Sequence, residues 1–273
     1  MPKASAGENA DAVSADLSAA SVMAVGDKVV VITGGGSGIG AMMASGFVQN
    51  GGRVYIASRK DTSAFAAELT ARGPGTCTAL RADLQDQAAL EATAKAVGER
   101  EGRVDVLVNN AGTNYNAPIE ESDGRAFSKV LDVNLACVFQ SVQAFLPLLR
   151  AAAAPARVIN VSSINGIDPP GMMDTYAYSS SKAGVLMLTR HLAARLAPDV
   201  LVNAICPGPF RSRMMRATLA GEGEAMTVAS TLLKRLGAPA DAFGAALLLS
   251  SPAGAYITGA ALPVDGGMLL SRM

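Results

Sequence analysis

The sequence predicts an α/β fold, a doubly wound parallel sheet with helices on both faces, built as a single domain. Three observations predict it. From Lys28 onward, short β-branched runs alternate with longer stretches rich in alanine and leucine. The runs are apolar throughout, as strands covered by helices on both faces must be. The 273 residues suffice for one large α/β domain and are few for two independent ones.

The strands expected, in order, are Val29-Val30-Val31-Ile32, Val54-Tyr55-Ile56, Val104-Asp105-Val106-Leu107-Val108, Arg157-Val158-Ile159-Asn160-Val161, Leu201-Val202-Asn203-Ala204-Ile205 and Ala261-Leu262-Pro263-Val264-Asp265. Between them, apolar periodicity predicts helices over residues 38–51, 64–71, 87–101, 124–150, 178–196 and 241–250. Residues 1–25, rich in alanine and serine and carrying Glu8, Asp11 and Asp16, read as a flexible extension ahead of a domain spanning 26–273. The rhythm breaks over 207–236, where Pro207-Gly208-Pro209 leads into a Met- and Ala-rich segment. A connection of that length reads as an insertion over the sheet, a lid or binding loop.

Composition narrows the function classes. Lys plus Arg equals Asp plus Glu at 23 each, so no overall positive field favours nucleic acid or anionic lipid. Apolar runs such as 245–249 are far shorter than the roughly 18 to 20 residues that cross a bilayer, and no membrane span is expected. The extension lacks the apolar core of a secretory signal and is acidic where transit peptides are basic. Cys77, Cys137 and Cys206 are odd in number, widely spaced and without CxxC spacing. No metal site or disulfide is expected of them, and free thiols suit a reducing, cytoplasmic compartment. His191 is the single histidine, on the same predicted helix as Lys182 and well beyond it, and reads as a structural or interface residue. Nothing sets it beside a serine nucleophile.

Two constellations carry chemistry. Thr33-Gly34-Gly35-Gly36-Ser37-Gly38-Ile39-Gly40 follows the first strand and opens a helix, where tight glycine turns bring backbone N–H groups and the positive helix end to a pyrophosphate. Its G-x-x-x-G-x-G spacing, with no Gly-Lys-Ser/Thr following, excludes an ATP-binding P-loop. At the end of the second strand, where an acidic residue would bind both ribose hydroxyls, Ser58 and Arg59 stand instead. A guanidinium there holds a 2′-phosphate, so NADP(H) is favoured over NAD(H).

The second constellation is Tyr178-Ser179-Ser180-Ser181-Lys182, a phenol and an ammonium on one helix face. A free tyrosine titrates near about 10, so acting near neutrality requires stabilising its phenolate by about 4 kcal/mol, which a neighbouring cation and an oxidised nicotinamide favour. Ser163, ending a strand shortly before, carries a hydroxyl suited to holding a substrate oxygen. Together these groups suit a small-molecule carbonyl or alcohol, protonated or deprotonated as hydride moves.

Over residues 28–268 the sequence resembles the short-chain dehydrogenase/reductase family, whose single-domain Rossmann fold the resemblance implies. The motif at 33–40 is similar to the family's nucleotide turn, Asp83 with Leu84 to its adenine contact, and Asn109-Asn110-Ala111-Gly112 to its sheet-stabilising motif, with Asn110, Ala111 and Gly112 lining the cofactor. The resemblance implies a catalytic tetrad of Asn134, Ser163, Tyr178 and Lys182, in which the asparagine holds a water linking the lysine to solvent and the lysine also binds the nicotinamide ribose. Pro207 and Gly208 resemble the turn before the carboxamide contacts, here Phe210 and Ser212, and Asp265-Gly266-Gly267 the C-terminal signature. It also implies a homotetramer or homodimer built on the two long helices.

Two departures bear on the site. The interval from Ser163 to Tyr178 is longer than the family norm, which makes Tyr176 a rival phenol, although Tyr178 alone has the lysine at the right spacing. Ser37 stands where many NADP-dependent members carry a basic residue, so cofactor choice rests on Arg59. Residues 146–150, 155–160, 176–178 and 210–214 resemble bacterial ketoacyl reductases of the rhamnolipid type, implying a 3-oxoacyl thioester or other hydrophobic ketone, with Met172, Met173, Met214 and Met215 as an adaptable apolar lining. The competing readings are an NAD-dependent alcohol, polyol or steroid dehydrogenase and a catalytically silent dinucleotide sensor.

Overall fold

Seven parallel strands form one sheet in the order β3-β2-β1-β4-β5-β6-β7. They are β1 (Val29–Thr33), β2 (Arg53–Ser58), β3 (Thr76–Arg81), β4 (Val106–Asn109), β5 (Ala156–Val161), β6 (Val200–Pro207) and β7 (Ala261–Val264). The computed structural model describes residues 15–171 and 173–272. Most of the extension expected at 1–25, and Met172, therefore lie outside the described residues.

Alternation along each strand divides the core in two. Val30, Ile32, Val54, Ile56, Val106 and Val108 face one helical layer, formed by α1 (Gly38–Gln49), α2 (Ser63–Arg72) and α8 (Pro239–Ser250). The register explains the shared face: Val30 pairs with Val54 and Val106, and Ile32 with Ile56 and Val108. Phe47 of α1 meets Phe243 of α8 edge to face, with ring centroids 5.3 Å apart. On the opposite face Val29, Val31, Leu107, Val158 and Val202 meet α3 (Gln87–Glu101), α5 (Cys137–Arg150) and α6 (Tyr176–Leu196).

Local chemistry sets the helix ends. Asp86 caps α3 by accepting from Ala88 N–H, and Gly102 closes it with a left-handed φ of 70°. Asp123 caps α4 (Gly124–Leu131) in the same way. Ser37, by contrast, makes no side-chain cap for α1, so the first amides of that helix are left for another partner.

Three features differ from the expectations. β3 was not foreseen: Thr76-Cys77-Thr78-Ala79-Leu80-Arg81 is a half-exposed edge strand lacking the fully apolar character of its neighbours. The helix expected over 124–150 is broken by a π turn, Asp132–Ala136, between α4 and α5. The run Gly124–Arg150 holds an 18-residue window of mean hydropathy 1.3, long and apolar enough by composition alone to cross a membrane, which the short apolar runs did not suggest. Its residues Val138, Val142, Phe145 and Leu149 are buried against the sheet, as in the core helix of a globular domain. Within 207–236 lies the short helix α7 (Gly223–Ala229). The base of this insertion is stitched by a parallel bridge between Phe210 and Gly237 and an Arg235–Asp241 ion pair, and Arg211 grips Glu224 across it.

Candidate active site

The strand order reverses between β1 and β4, and their carboxyl ends, Thr33 and Asn109, lie side by side in register. In an open α/β sheet this is where a ligand crevice forms. Asn110 welds the crevice floor. Its Nδ2 donates to the carbonyls of Thr33 (3.0 Å) and Gly34 (3.2 Å), while the amides of Asn110 and Ala111 donate to Thr33 Oγ1 at 3.0 and 3.2 Å.

The glycine turn runs from this weld into the uncapped N-terminus of α1. A Cβ on Gly40 would fall 2.4 Å from Asn110 Nδ2 and 2.7 Å from the Gly34 carbonyl, so a glycine is required there. Ile39 is half-buried against the core. Ser212, at the start of the insertion, stands over Gly38, its Cβ 3.3 Å from where a Gly38 Cβ would lie. The residues fit a dinucleotide: an open anion-binding helix start, a glycine cradle and a lid residue above it.

At the adenosine end Ser58 Oγ donates to the Lys60 carbonyl at 2.7 Å and Arg59 is exposed. The unforeseen β3 adds a residue here, because Ser58 pairs in register with Arg81. Lys60, Thr62, Ser63 and Arg81 line a cavity of about 220 Å³, with Asp61 at the same wall. Arg81 was missed with its strand; its place two residues before Asp83 in the Arg-Ala-Asp-Leu run was the signal available. Asp83 and Leu84 follow at the carboxyl end of β3, Asp83 accepting from Gln85 N–H.

The residues expected to react lie on β5, α6 and the π turn. Ser163 ends β5 and is 7% exposed; its Oγ accepts from Asn165 N–H at 3.1 Å as the cap of a 3-10 turn, Ile164–Gly166. Helix α6 begins at Tyr176, one half-turn earlier than expected. Tyr176 is 41% exposed and its hydroxyl donates to Asp174 at 2.7 Å, which removes it as a rival phenol. Tyr178 is partly buried, and Lys182 Nζ lies 5.6 Å from its ring centroid.

Burial pushes the Tyr178 phenol above its ordinary value, with the Ser163 hydroxyl pulling it back. This reverses the expected direction. The lysine charge that was to lower it is itself desolvated: Lys182 is 4% exposed, burial brings its pKa down to about 8, and Nζ donates to the Val161 carbonyl at 2.8 Å. Asn134 and Lys182 nonetheless converge, for a Cβ on Gly112 would lie 3.3 Å from Asn134 Oδ1 and 3.6 Å from Lys182 Nζ. Pro207 closes β6, and Gly208 N–H donates to the Val264 carbonyl at 3.0 Å. The Phe210 ring is buried against Gly237, leaving its backbone for any contact in the cleft.

Residues 34–269 match the family described as Enoyl-(Acyl carrier protein) reductase. The chain belongs to the short-chain dehydrogenase/reductase family. As a short-chain dehydrogenase/reductase it is an oxidoreductase, and its seven-stranded Rossmann sheet is that of its relatives. It is 41% identical over 250 residues to the rhamnolipids biosynthesis 3-oxoacyl-[acyl-carrier-protein] reductase of Pseudomonas aeruginosa, covering 89% of this chain and 96% of the relative. It is 35% identical to 3beta-hydroxysteroid dehydrogenase 1 of Eggerthella lenta, covering 89% and 94%. Among solved structures, the Pseudomonas aeruginosa RhlG/NADP active-site complex superposes with a TM-score of 0.86 at 39% identity, covering 91% and 98%. The NADPH-dependent 3-quinuclidinone reductase of Rhodotorula rubra gives 0.87 at 28% identity, covering 99% of each chain.

Proposed function

We propose that this short-chain dehydrogenase/reductase reduces a ketone or 3-oxoacyl carbonyl to the alcohol with NADPH. The observation that carries the reading is the convergence of Ser163, Tyr178 and Lys182 at the carboxyl end of β5, beside the glycine cradle. The 41% identical relative, a 3-oxoacyl reductase, supports the substrate class. So do Met173 and Met214, exposed apolar side chains at the entry to α6 and in the insertion.

A nicotinamide bound over the glycine turn would supply the hydride. Ser163 holds the carbonyl oxygen, and the Tyr178 hydroxyl gives it a proton as the carbon is reduced. Burial holds that proton on the phenol until it is needed. Lys182, ammonium below its pKa of about 8, stabilises the phenolate that remains and binds the cofactor ribose. Preference for NADP(H) over NAD(H) rests on Arg59, with Arg81 on the adjacent strand position and Lys60 adding positive charge for a 2′-phosphate.

Phe139 on α5 and Met187 on α6 stand 44% and 52% exposed, apolar surface that a homodimer or homotetramer built on these helices would cover. The three cysteines are buried and unpaired, in keeping with a reducing compartment such as the cytoplasm.

The test is Tyr178→Phe, assayed with acetoacetyl thioester and a ketone panel in NADPH and in NADH. Turnover is expected to fall by at least about 100-fold, the scale of a lost general acid, while NADPH binding followed by fluorescence stays within twofold. Retained turnover would reject the mechanism, and equal rates with both cofactors in the unaltered enzyme would reject the cofactor preference.

A further inference from the structure

The amide of Asn134, fully buried in the π turn, has every polar atom engaged. Its Oδ1 accepts the Thr113 N–H at 2.8 Å, and its Nδ2 donates to the Thr113 carbonyl at 2.9 Å and to Ser181 Oγ at 3.0 Å. Both Nδ2 hydrogens are thereby used, and Oδ1 keeps one lone pair. Ser181 is equally buried, 0% exposed, and its hydroxyl donates onward to the Tyr178 carbonyl at 2.7 Å. The donor and acceptor roles of the hydroxyl are therefore set: it accepts from an amide that can only donate and gives to a carbonyl that can only accept.

A helical serine bonding back one turn is an ordinary local pattern. The distinctive feature is that the same oxygen also takes a proton from an amide 47 residues away in sequence, on a different element. A continuous line of hydrogen bonds thus runs from the Thr113 backbone through Asn134 and Ser181 to the backbone of Tyr178. Lys182, the next residue, is tied separately, through Nζ to the Val161 carbonyl and through its own carbonyl to Ser162 Oγ at 2.8 Å. The first turn of α6 is held by two tethers, one on the phenol side and one on the ammonium side.

We propose that Ser181 is a positioning residue for the reaction, joining Asn134 to the turn that presents the Tyr178 hydroxyl, and that the Asn134 side chain acts through this link. The proposal rests on Tyr178 being the proton donor. Removing the Ser181 hydroxyl leaves a buried Asn134 N–H without a partner and frees the phenol-side tether while the ammonium-side tether stays.

The experiment compares Ser181→Ala, Ser181→Cys, Asn134→Ala and the Ala/Ala double variant of the full-length enzyme. Each is checked by thermal melting and assayed for kcat, for KM of NADPH and over pH. With Ser181→Ala, kcat is expected to fall about fivefold to tenfold, the scale of one buried hydrogen bond, with KM for NADPH within twofold and the ionisation seen in kcat displaced. Ser181→Cys, close in size and a weak donor, should fall between. Because both residues act along one line, the double variant should be no slower than the slower single variant. An unchanged kcat and pH profile in Ser181→Ala, or multiplying effects in the double variant, would overturn the proposal. If Ser181→Ala does not fold, Ser181→Cys decides, since a wild-type kcat and pH profile there overturn it as well. Tyr178→Phe in the same assay separates the two readings: activity kept there removes the proton-donor assignment, whereas loss there beside an unaffected Ser181→Ala removes this inference alone.

Discussion

Lys182 is a cation held where water cannot reach it. Its ordinary pKa of 10.5 is brought to about 8 by burial, so between those values the unfolded chain holds a proton that the folded chain has released. Stability therefore rises with pH across that window, and below about 8 the buried ammonium costs on the order of 3 kcal/mol. Replacing it with a methionine of similar length removes the titration. The stability of Lys182→Met relative to the parent should be most favourable near pH 7 and decline toward pH 10.5, as read by urea unfolding at both ends. Cys77, pushed up to about 12, and Cys137, to about 11, lose stability above pH 9 in both proteins and cancel in the difference. A pH-independent difference would contradict the burial of this charge. The pairing of Tyr178 with Lys182 was legible in the sequence because four residues bring two side chains onto one helix face. The direction in which the phenol shifts was not, since it depends on how much protein surrounds it. The use of the Asn134 amide was equally hidden, because its partners come from distant parts of the chain.

Helix α6 carries both side chains of the proposed chemistry, Tyr178 and Lys182, and its placement depends on the 3-10 turn after β5. A Cβ on Gly166 would lie 2.6 Å from the Lys182 carbonyl carbon and 2.8 Å from its oxygen, so the turn packs backbone against backbone. Gly166→Ala must push the turn and helix apart. We expect a loss of about 1–3 kcal/mol in thermal or urea unfolding, together with a drop in kcat larger than any change in KM for NADPH; unaltered kcat would show that this contact does not hold the site. Elements were legible where one interaction dominates. β1, β2, β4, β5 and β6 are buried on both faces, and their apolar runs announce them. The edge strand β3, with exposed Thr76 and Arg81 at its ends, carries no such run, and the Arg81 cation at the adenosine end went unplaced with it. The π turn has no compositional mark, because it arises where α4 and α5 meet around a buried Asn134.

For the molecule as a whole, the parallel sheet and its two helical layers follow from the strand runs, whereas the strand order, in which the chain passes from β3 over β2 and β1 to β4, was not read from the sequence. The proposed assembly is different in kind, because one chain displays only the surface left uncovered. If α5 and α6 form the contact between copies, a Phe139→Glu, Met187→Glu variant should sediment as a smaller species than the parent while keeping its melting profile cooperative. An unchanged sedimentation coefficient would move the contact elsewhere. The insertion after β6 has a further practical meaning. Its hem is sewn at Phe210 and Gly237, and of residues 211–236 only Thr231 is fully buried. Side chains there can be exchanged with little debt to the folding of the sheet, so an engineer seeking bulkier or more polar ketones has a region to redraw while the proton-handling groups stay where they are.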